Sequence, residues 1–347
     1  MLAAVLYAPG DLQVEERPSP VCAENQAVVA VRSVGVCGSD LNRVMKTGTY
    51  RMPLVPGHEF SGTVKALPPG YAGPFQPGAR VVSAPIIPCR VCAPCQSGHF
   101  GLCERYDYIG SRRDGAMAQE VLVPVDNLLP MPDTLSFQEG AMIEPAAVTL
   151  HGMRIAAVSA GNRVCVLGCG TIGLLAVQLA GIMGASLVIA SDISGEKREL
   201  ARRLGADIAV NPLEEDMEDT VRQQTGGLGC DVVIETAGSP QTQQACPLYA
   251  RYRGRLLLLG TAHREVCLSP TIYERILRKE LTLFGSWNSY SAPFPGEEWR
   301  ACIHYAARGS LNLAAMISHR VSLAQLPETI AWMKRGEGAF VKVLADL

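Results

Sequence analysis

The chain of 347 residues contains no apolar run approaching the roughly 20 residues that a membrane-spanning helix needs. Neither sign of charge is in excess: 31 Lys and Arg against 33 Asp and Glu leave a formal net charge of −2. That balance argues against a nucleic-acid or membrane partner held by bulk electrostatics. No basic region precedes the first apolar stretch, so MLAAVLYAPGDLQVEE reads as strand, turn and strand rather than as a secretory leader. Internal repeats and low-complexity segments are missing as well. Cysteine is not scarce, but the 12 cysteines lack the setting of a secreted disulfide framework, and the expectation is a reducing cytoplasm. Cys22, Cys165, Cys169, Cys230, Cys246, Cys267 and Cys302 read as small buried hydrophobes.

What the chain does have is enough length for about two domains. A hydrophobic fraction of 48% with 18% charged residues suits a globular protein, and 34 glycines imply many tight turns. Up to about residue 130, short Val-rich runs (AVVAVRSVGV, FSGTVKAL, GARVVSAP, AQEVLVP) alternate with Gly and Pro clusters, which predicts an antiparallel, barrel-like β-domain. From Ser136 the period changes: a serine followed three residues later by Glu139 is a helix-capping signature ahead of apolar helical spacing. Strands and helices then alternate through NRVCVLGCG, TIGLLAVQLAGIMG, SLVIASD, GEKRELARRLG, IAVNP, DVVIETAG, RLLLLGTA and LTLFGS. Near-continuous Val, Leu and Ile strands joined by helices predict an α/β domain with a doubly wound parallel sheet covered on both faces. The expected division is 1–150 for the β-rich domain, 151–285 for the α/β domain, and a return of 286–347 to the first.

Cys89, Cys92, Cys95 and Cys103 in PCRVCAPCQSGHFGLCE have the spacing C-x2-C-x2-C-x7-C. Four soft thiolates that close together suit a tetrahedral Zn²⁺ at about 2.3 Å each, a structural rather than a catalytic arrangement. An iron–sulfur cluster is the rival, since bacterial ferredoxins open with the same C-x2-C-x2-C. There the next cysteine follows after three residues and precedes a proline, whereas Cys103 comes eight positions after Cys95. Zinc is therefore expected.

Gly168-Cys169-Gly170-Thr171-Ile172-Gly173 is a G-x-G-x-x-G string that closes a predicted strand and opens a predicted helix. Gly168 permits the tight turn, Gly170 lets a pyrophosphate approach the backbone, and Gly173 lets helix and strand pack closely. Thr171 and Ile172 begin the helix whose free N–H groups and positive dipole end face the phosphates. Asp192, nineteen residues past Gly173, ends the next strand, where a carboxylate can bind ribose hydroxyls and repel a 2′-phosphate, favouring NAD. Lys197 and Arg198 nearby keep NADP open; Asp192 as a helix cap is the structural alternative.

A catalytic zinc takes three protein ligands and leaves one position open. Cys37 in GVCGSD, His58 in VPGHEFSG and Glu144 in MIEPAA supply a candidate set, with Glu59 as an exchangeable fourth ligand or a neighbouring carboxylate. Taken singly, each has an ordinary structural reading as a buried thiol, a turn histidine or a helix-capping carboxylate.

With these motifs assembled, the chain resembles the zinc-dependent medium-chain alcohol and polyol dehydrogenases over essentially its full length. The resemblance rests on C-G-S-D at Cys37–Asp40, G-H-E with a glycine (Gly57, His58, Glu59, Gly62), the four-cysteine lobe at 88–104, E-P at Glu144–Pro145 and the G-x-G-x-x-G. It implies a Rossmann domain beside a GroES-like catalytic domain, two zinc ions per chain (one catalytic, one structural), NAD, and a homodimer or homotetramer acting on a small polyol in the cytoplasm. Glu144 stands where alcohol dehydrogenases have a second cysteine, as polyol dehydrogenases do. Ser39 is implied as the first acceptor of the substrate proton; where many relatives carry a histidine three residues later, this chain has Asn42. The stretches YDYIGSRRDG and RILRKELTLFGSWNSYSAPFPGEEW look like the branch of galactitol-1-phosphate 5-dehydrogenases, implying oxidation of galactitol 1-phosphate to tagatose 6-phosphate. Arg112 and Arg113 then become phosphate ligands, and Trp287 and Asn288 border the sugar. Sorbitol, xylitol or threonine as substrate is the nearest alternative, and a non-catalytic zinc- and nucleotide-binding protein is the alternative of another class.

Overall fold

The computed structural model describes residues 1–347, and they separate into two compact units. One comprises Met1–Pro145, Tyr290–Gly309 and Leu313–Leu347; the other comprises Ala146–Ser289 and Ser310–Asn312. No helix is long and apolar enough to cross a membrane.

The first unit is built on strand Gln26–Gly35, whose valines face a core with Val5, Leu6, Phe60, Val64, Ile109, Met117 and Val343. Glu59–Ala66 and Lys342–Asp346 flank it antiparallel, Glu120–Pro124 also pairs with it, and Ile317–Ser322 runs parallel to Lys342–Asp346 at one edge. Arg80–Ser83 and Leu128–Pro130 complete the seven-stranded sheet on the other side. The opening segment forms the expected hairpin, Leu2–Ala8 against Asp11–Glu16. Two features of this sheet matter for the site: Glu59 is the first residue of its strand and pairs across to Gly35, and Lys342 opens the last strand of the chain.

The second unit holds six parallel strands. In chain order they are Arg163–Leu167, Leu187–Ser191, Ile208–Val210, Cys230–Glu235, Ala250–Leu258 and Thr282–Gly285. In space the third, second and first lead into the fourth, fifth and sixth. That 3-2-1-4-5-6 order is the doubly wound Rossmann arrangement, with its switch point between the first and fourth strands. Cys230–Glu235 is buried along its whole length, as a strand covered on both faces requires.

Local signals read from the sequence recur in the structure. Ser136 Oγ accepts from the Glu139 N–H at 3.2 Å and Glu139 Oε2 accepts from the Ser136 N–H at 2.9 Å, a reciprocal capping box. All 12 cysteines are free. The expectation that the seven outside the metal motifs are buried holds for Cys165, Cys169, Cys230, Cys246 and Cys302 but needs correcting for two. Cys267 is exposed and Cys22 only partly covered, because both lie in irregular segments with no apolar layer over them.

Candidate functional site

The cysteine lobe assembles from strictly local chain. A short helix, Ala93–Gln96, carries Cys95 inward, Gly98 turns the backbone at φ +80°, and a 3₁₀ turn at Phe100–Leu102 returns Cys103 to the group. The sulfurs of Cys89, Cys92, Cys95 and Cys103 all lie within 4.8 Å of one another, with Cys92 and Cys103 3.9 Å apart. Their ionisation is pulled apart. The N–H groups of Val91 and Cys92 bring the Cys89 thiol down to about 6, whereas burial pushes Cys95 up to about 12. Four thiols with so little room suit one divalent cation, which would hold all of them as thiolates.

A second group of donors lies in the same unit. Cys37 precedes the short helix Gly38–Asn42, and its N–H donates to Asp40 Oδ2 at 3.1 Å. His58 and Glu59 follow Gly57, which has φ +98° and whose missing side chain leaves room for the Met117 backbone. The ligand atoms of Cys37, His58 and Glu59 all lie within 4.8 Å of one another. A sulfur, an imidazole nitrogen and a carboxylate oxygen form a donor set suited to an open zinc site. His58 Nδ1 is buried with no hydrogen-bond partner, 3.5 Å from Asp40 Oδ1. Burial works against a charged His58, but Asp40 and Cys37 outweigh it and hold the imidazole well above its ordinary pKa. A carboxylate behind a ligating histidine is the arrangement that orients such rings.

The sequence expectation made Glu144 the third ligand and Glu59 the exchangeable one, yet the compact trio contains Glu59. Glu144 is buried and lies outside that trio, close enough to sense its charges: burial first, then the Glu59 and Asp40 carboxylates, push it up to about 7 against the opposing pull of His58 and Lys342. Glu59 has its own cation, since Lys342 Nζ donates to Glu59 Oε2 and also to the Val36 carbonyl at 3.3 Å. The pair is almost completely buried. It fits only because residue 35 is glycine: a Cβ there would sit 2.5 Å from Glu59 Oε2 and 2.7 Å from Lys342 Cε.

Ser39 Oγ donates to Cys37 Sγ at 3.3 Å, at the edge of the trio. Asn42 points elsewhere, its Oδ1 accepting from Lys334 Nζ at 2.8 Å. Tyr108 packs edge-on to His58, ring centroids 5.5 Å apart. Arg112 lies over the rings of both Tyr50 and Tyr106, at 4.0 and 4.4 Å, and its Nε is buried without a partner. Arg113 instead contacts Asp107, Nε to Oδ2 at 3.5 Å. Sequence reasoning missed Lys342, Arg43 and the role of Asp40; for Asp40 a signal existed, its place three residues after Cys37 in C-G-S-D.

In the second unit the glycine string behaves as its spacing requires. Gly168 has φ +94°, with Ala237 packed where a side chain would go. Gly170 caps helix Thr171–Ile182 and has open space around its Cα, a cradle into which a phosphate fits beside free N–H groups. Gly173 lies so close to the Gly168 carbonyl that no side chain fits. Asp192 Oδ2 accepts from the Cys169 N–H at 2.7 Å and Oδ1 from the Ser194 N–H at 2.8 Å. Asp192 is not the helix cap. Ser194 is, with its Oγ accepting from the Lys197 N–H at 3.4 Å, while Arg198 Nη1 donates to the Asp192 carbonyl at 2.7 Å. Trp287 and Asn288 also belong to this unit; Trp287 is exposed, and Asn288 sits at φ +58° with its Nδ2 buried and without a partner.

Comparison with known proteins adds independent findings. Residues 23–133 match the model of the alcohol dehydrogenase GroES-like domain, and residues 171–307 that of the zinc-binding dehydrogenases. The galactitol 1-phosphate 5-dehydrogenase of Escherichia coli strain K12 is 37% identical over 334 residues, 95% of each chain. The sorbitol dehydrogenase of Gallus gallus is 30% identical over 352 residues, 99% of this chain and 96% of that one. Among solved structures, galactitol-1-phosphate dehydrogenase from Escherichia coli superposes with a TM-score of 0.94 at 36% identity, covering 100% of both chains. A zinc-binding dehydrogenase of Sinorhizobium meliloti 1021 bound to NADP gives 0.92 at 34% identity, covering 100% of this chain and 99% of that one.

Proposed function

This chain belongs to the zinc-binding medium-chain alcohol dehydrogenase family, and from that premise we propose that it oxidises a secondary alcohol of a polyol phosphate, galactitol 1-phosphate to tagatose 6-phosphate, with NAD as acceptor. The observation that carries the reading is the compact trio of Cys37, half-buried, with His58 and Glu59, both buried, in the same unit as a four-cysteine group, beside the 37% identity to a galactitol 1-phosphate 5-dehydrogenase. Cys37 and His58, with a carboxylate from Glu59 or Glu144, would hold the catalytic zinc, and Cys89, Cys92, Cys95 and Cys103 the structural one. Zinc there supplies an electrophile that lowers the pKa of the alcohol, and the nicotinamide supplies the hydride acceptor.

The remaining roles belong to the chain itself. Ser39 offers a hydroxyl at the edge of the trio that would be the first relay for the substrate's proton, accepting it while its own hydrogen passes on towards solvent. Asp40 orients His58, and Lys342 holds the Glu59 carboxyl in place from within the fold. The Gly170 cradle receives the pyrophosphate. Asp192 at the end of its strand supports NAD over NADP by repelling a 2′-phosphate, with Lys197 beside it. Arg112, lying over two tyrosine rings, is the cation best placed by its support to meet a phosphate, Arg113 the lesser because Asp107 is its partner. Trp287 and Asn288 would border the sugar. Free cysteines throughout suit the cytoplasm. A homodimer or homotetramer is supported by the sheet edge at Thr282–Gly285, where Leu283 is 56% exposed, and by helix Pro270–Arg278, which buries none of its residues.

The test is a substrate panel with NAD and NADP containing galactitol 1-phosphate, free galactitol, glucitol 6-phosphate, sorbitol, xylitol and threonine, run beside metal analysis. The expected result is two zinc per chain, NADH formation, and a kcat/KM for galactitol 1-phosphate well above that for galactitol. Arg112→Ala should raise KM for the phosphorylated substrate about tenfold or more, the worth of a charge-assisted bond, and leave galactitol nearly unaffected. Equal kcat/KM for the two substrates removes the phosphate site; one zinc and no turnover of any alcohol leaves only a nucleotide-binding protein.

A further inference from the structure

Around the trio runs a closed circuit of polar contacts that the chemistry above does not yet use. Ser39 Oγ is 3.3 Å from Cys37 Sγ and accepts from Arg43 Nη1 at 2.9 Å. The same Nη1 lies 3.5 Å from Asp40 Oδ1, which in turn is 3.5 Å from His58 Nδ1. Cys37 and His58 close the circuit through the trio itself. Asp40 is fully buried, whereas the Arg43 side chain is 26% exposed, so the guanidinium bridges the buried carboxylate and the outside of the site. Asn42, on the preceding residue, is engaged by Lys334 on another helix.

We propose that Arg43 is a positioning residue for alcohol oxidation: by donating to Ser39 Oγ while resting against Asp40, it orients the serine hydroxyl and ties it to the carboxylate behind His58. The physical argument is directional. Arg43 occupies one lone pair of Ser39 Oγ and the hydroxyl hydrogen points at Cys37 Sγ, so the second lone pair is the one left to accept the proton of an alcohol oxygen on the Cys37 side. A guanidinium has five donors, no acceptor and no accessible neutral form, so hydrogen bonds leaving Ser39 in this direction end on a fixed cation. That cation favours negative charge on a neighbouring oxygen over the distance of a single hydrogen bond. Lysine is not equivalent, because its ammonium is a rotatable point charge without the planar guanidinium that fixes the direction of the donor.

The inference rests on the alcohol-oxidation reading, so the parent enzyme is assayed first with galactitol 1-phosphate and NAD. Arg43→Met should lower kcat about 10- to 100-fold, the usual cost of losing a supporting contact behind a site, with KM changed by less than about threefold. Arg43→Lys should fall between the parent and Arg43→Met, and it serves in its place if the methionine variant does not fold. Because Arg43 acts through Ser39, adding Arg43→Met to Ser39→Ala should cost almost nothing further. Two zinc per chain, and an unchanged thiolate–cobalt absorption band after cobalt substitution, are expected in Arg43→Met, because the circuit orients the hydroxyl and does not hold the metal. A kcat within twofold of the parent, penalties that multiply in the double variant, or loss of the cobalt band would each overturn the proposal. A parent that oxidises no alcohol sinks the functional reading and takes this inference with it, whereas an active parent matched by its Arg43 variants sinks the inference alone.

Discussion

Glu59 and Lys342 show how much a single buried pair can depend on its neighbours. Each is about 2% exposed, and the only space for their contact is the missing side chain of Gly35. Taking two charges out of water is costly, and their attraction offsets that cost only while both are present. Lys342→Met leaves Glu59 as an uncompensated charge, and the expected loss is about 3–5 kcal/mol, read as a lower urea midpoint with an unchanged slope. A midpoint within error of the parent would mean that the buried pair contributes nothing to stability. Gly35→Ala should destabilise through the same contact. Burial likewise lifts Glu144, and a cation at the trio would return it to the ionised form a ligand needs.

At the scale of elements, the parallel sheet of the second unit is stitched at one end by Asp231. Its Oδ2 accepts from the Arg163 N–H at 2.8 Å and from Arg163 Nε at 3.1 Å, and its Oδ1 accepts from Arg251 Nε at 2.5 Å. Three adjacent strands thereby share one carboxylate. Burial alone would raise its pKa, but the Arg163 N–H and the two guanidiniums outweigh it and hold Asp231 below the usual carboxylate value. A carboxyl depressed by folding contributes stability that is complete above its unfolded pKa, about 3.9, and is lost as pH falls through the folded value. Asp231→Asn should therefore cost about 2 kcal/mol at pH 7, the scale of a hydrogen bond to a charged group, and should show a shallower loss of stability below about pH 4. Parallel acid limbs in parent and variant would rule Asp231 out as a contributor. The cysteine lobe is the contrasting element: its four thiols come from one short stretch, so if they hold the proposed zinc, chelation should loosen the lobe locally before the sheets respond.

For the whole molecule, the sixth strand of the Rossmann sheet is the exposed question. Thr282–Gly285 has one neighbour, Ala250–Leu258, and carries Leu283 at 56% exposure, while helix Pro270–Arg278 leaves Tyr273 and Leu277 exposed. An uncovered apolar edge is a site for pairing with another chain. Leu283→Glu should shift sedimentation of the purified protein towards monomer without lowering its zinc content; an unchanged sedimentation coefficient would place any subunit contact elsewhere. The two family matches, 23–133 and 171–307, fall on either side of the helix at Ile143–Ile155 and cover most of both units.

What the sequence determined by itself is whatever is short in range. The cysteine lobe, the glycine string with Gly168 and Gly170, the Ser136 cap and the strand–helix alternation could all be read from spacing, because the interacting atoms are within a few turns of chain and backbone geometry leaves few alternatives. Cys37 and His58 were legible as candidate ligands for a similar reason, each standing in a glycine-rich turn with a metal-binding side chain, although the sequence set them with Glu144 and made Glu59 the exchangeable member. Only tertiary structure decided the rest. Lys342 reaches Glu59 across 283 positions, Arg43 rather than Asn42 faces Ser39, Arg112 and Arg113 part company, and Glu59 rather than Glu144 joins the compact trio. Those outcomes depend on which strands become neighbours and on how much water they exclude, and burial of that kind is a property of packing that no local spacing records.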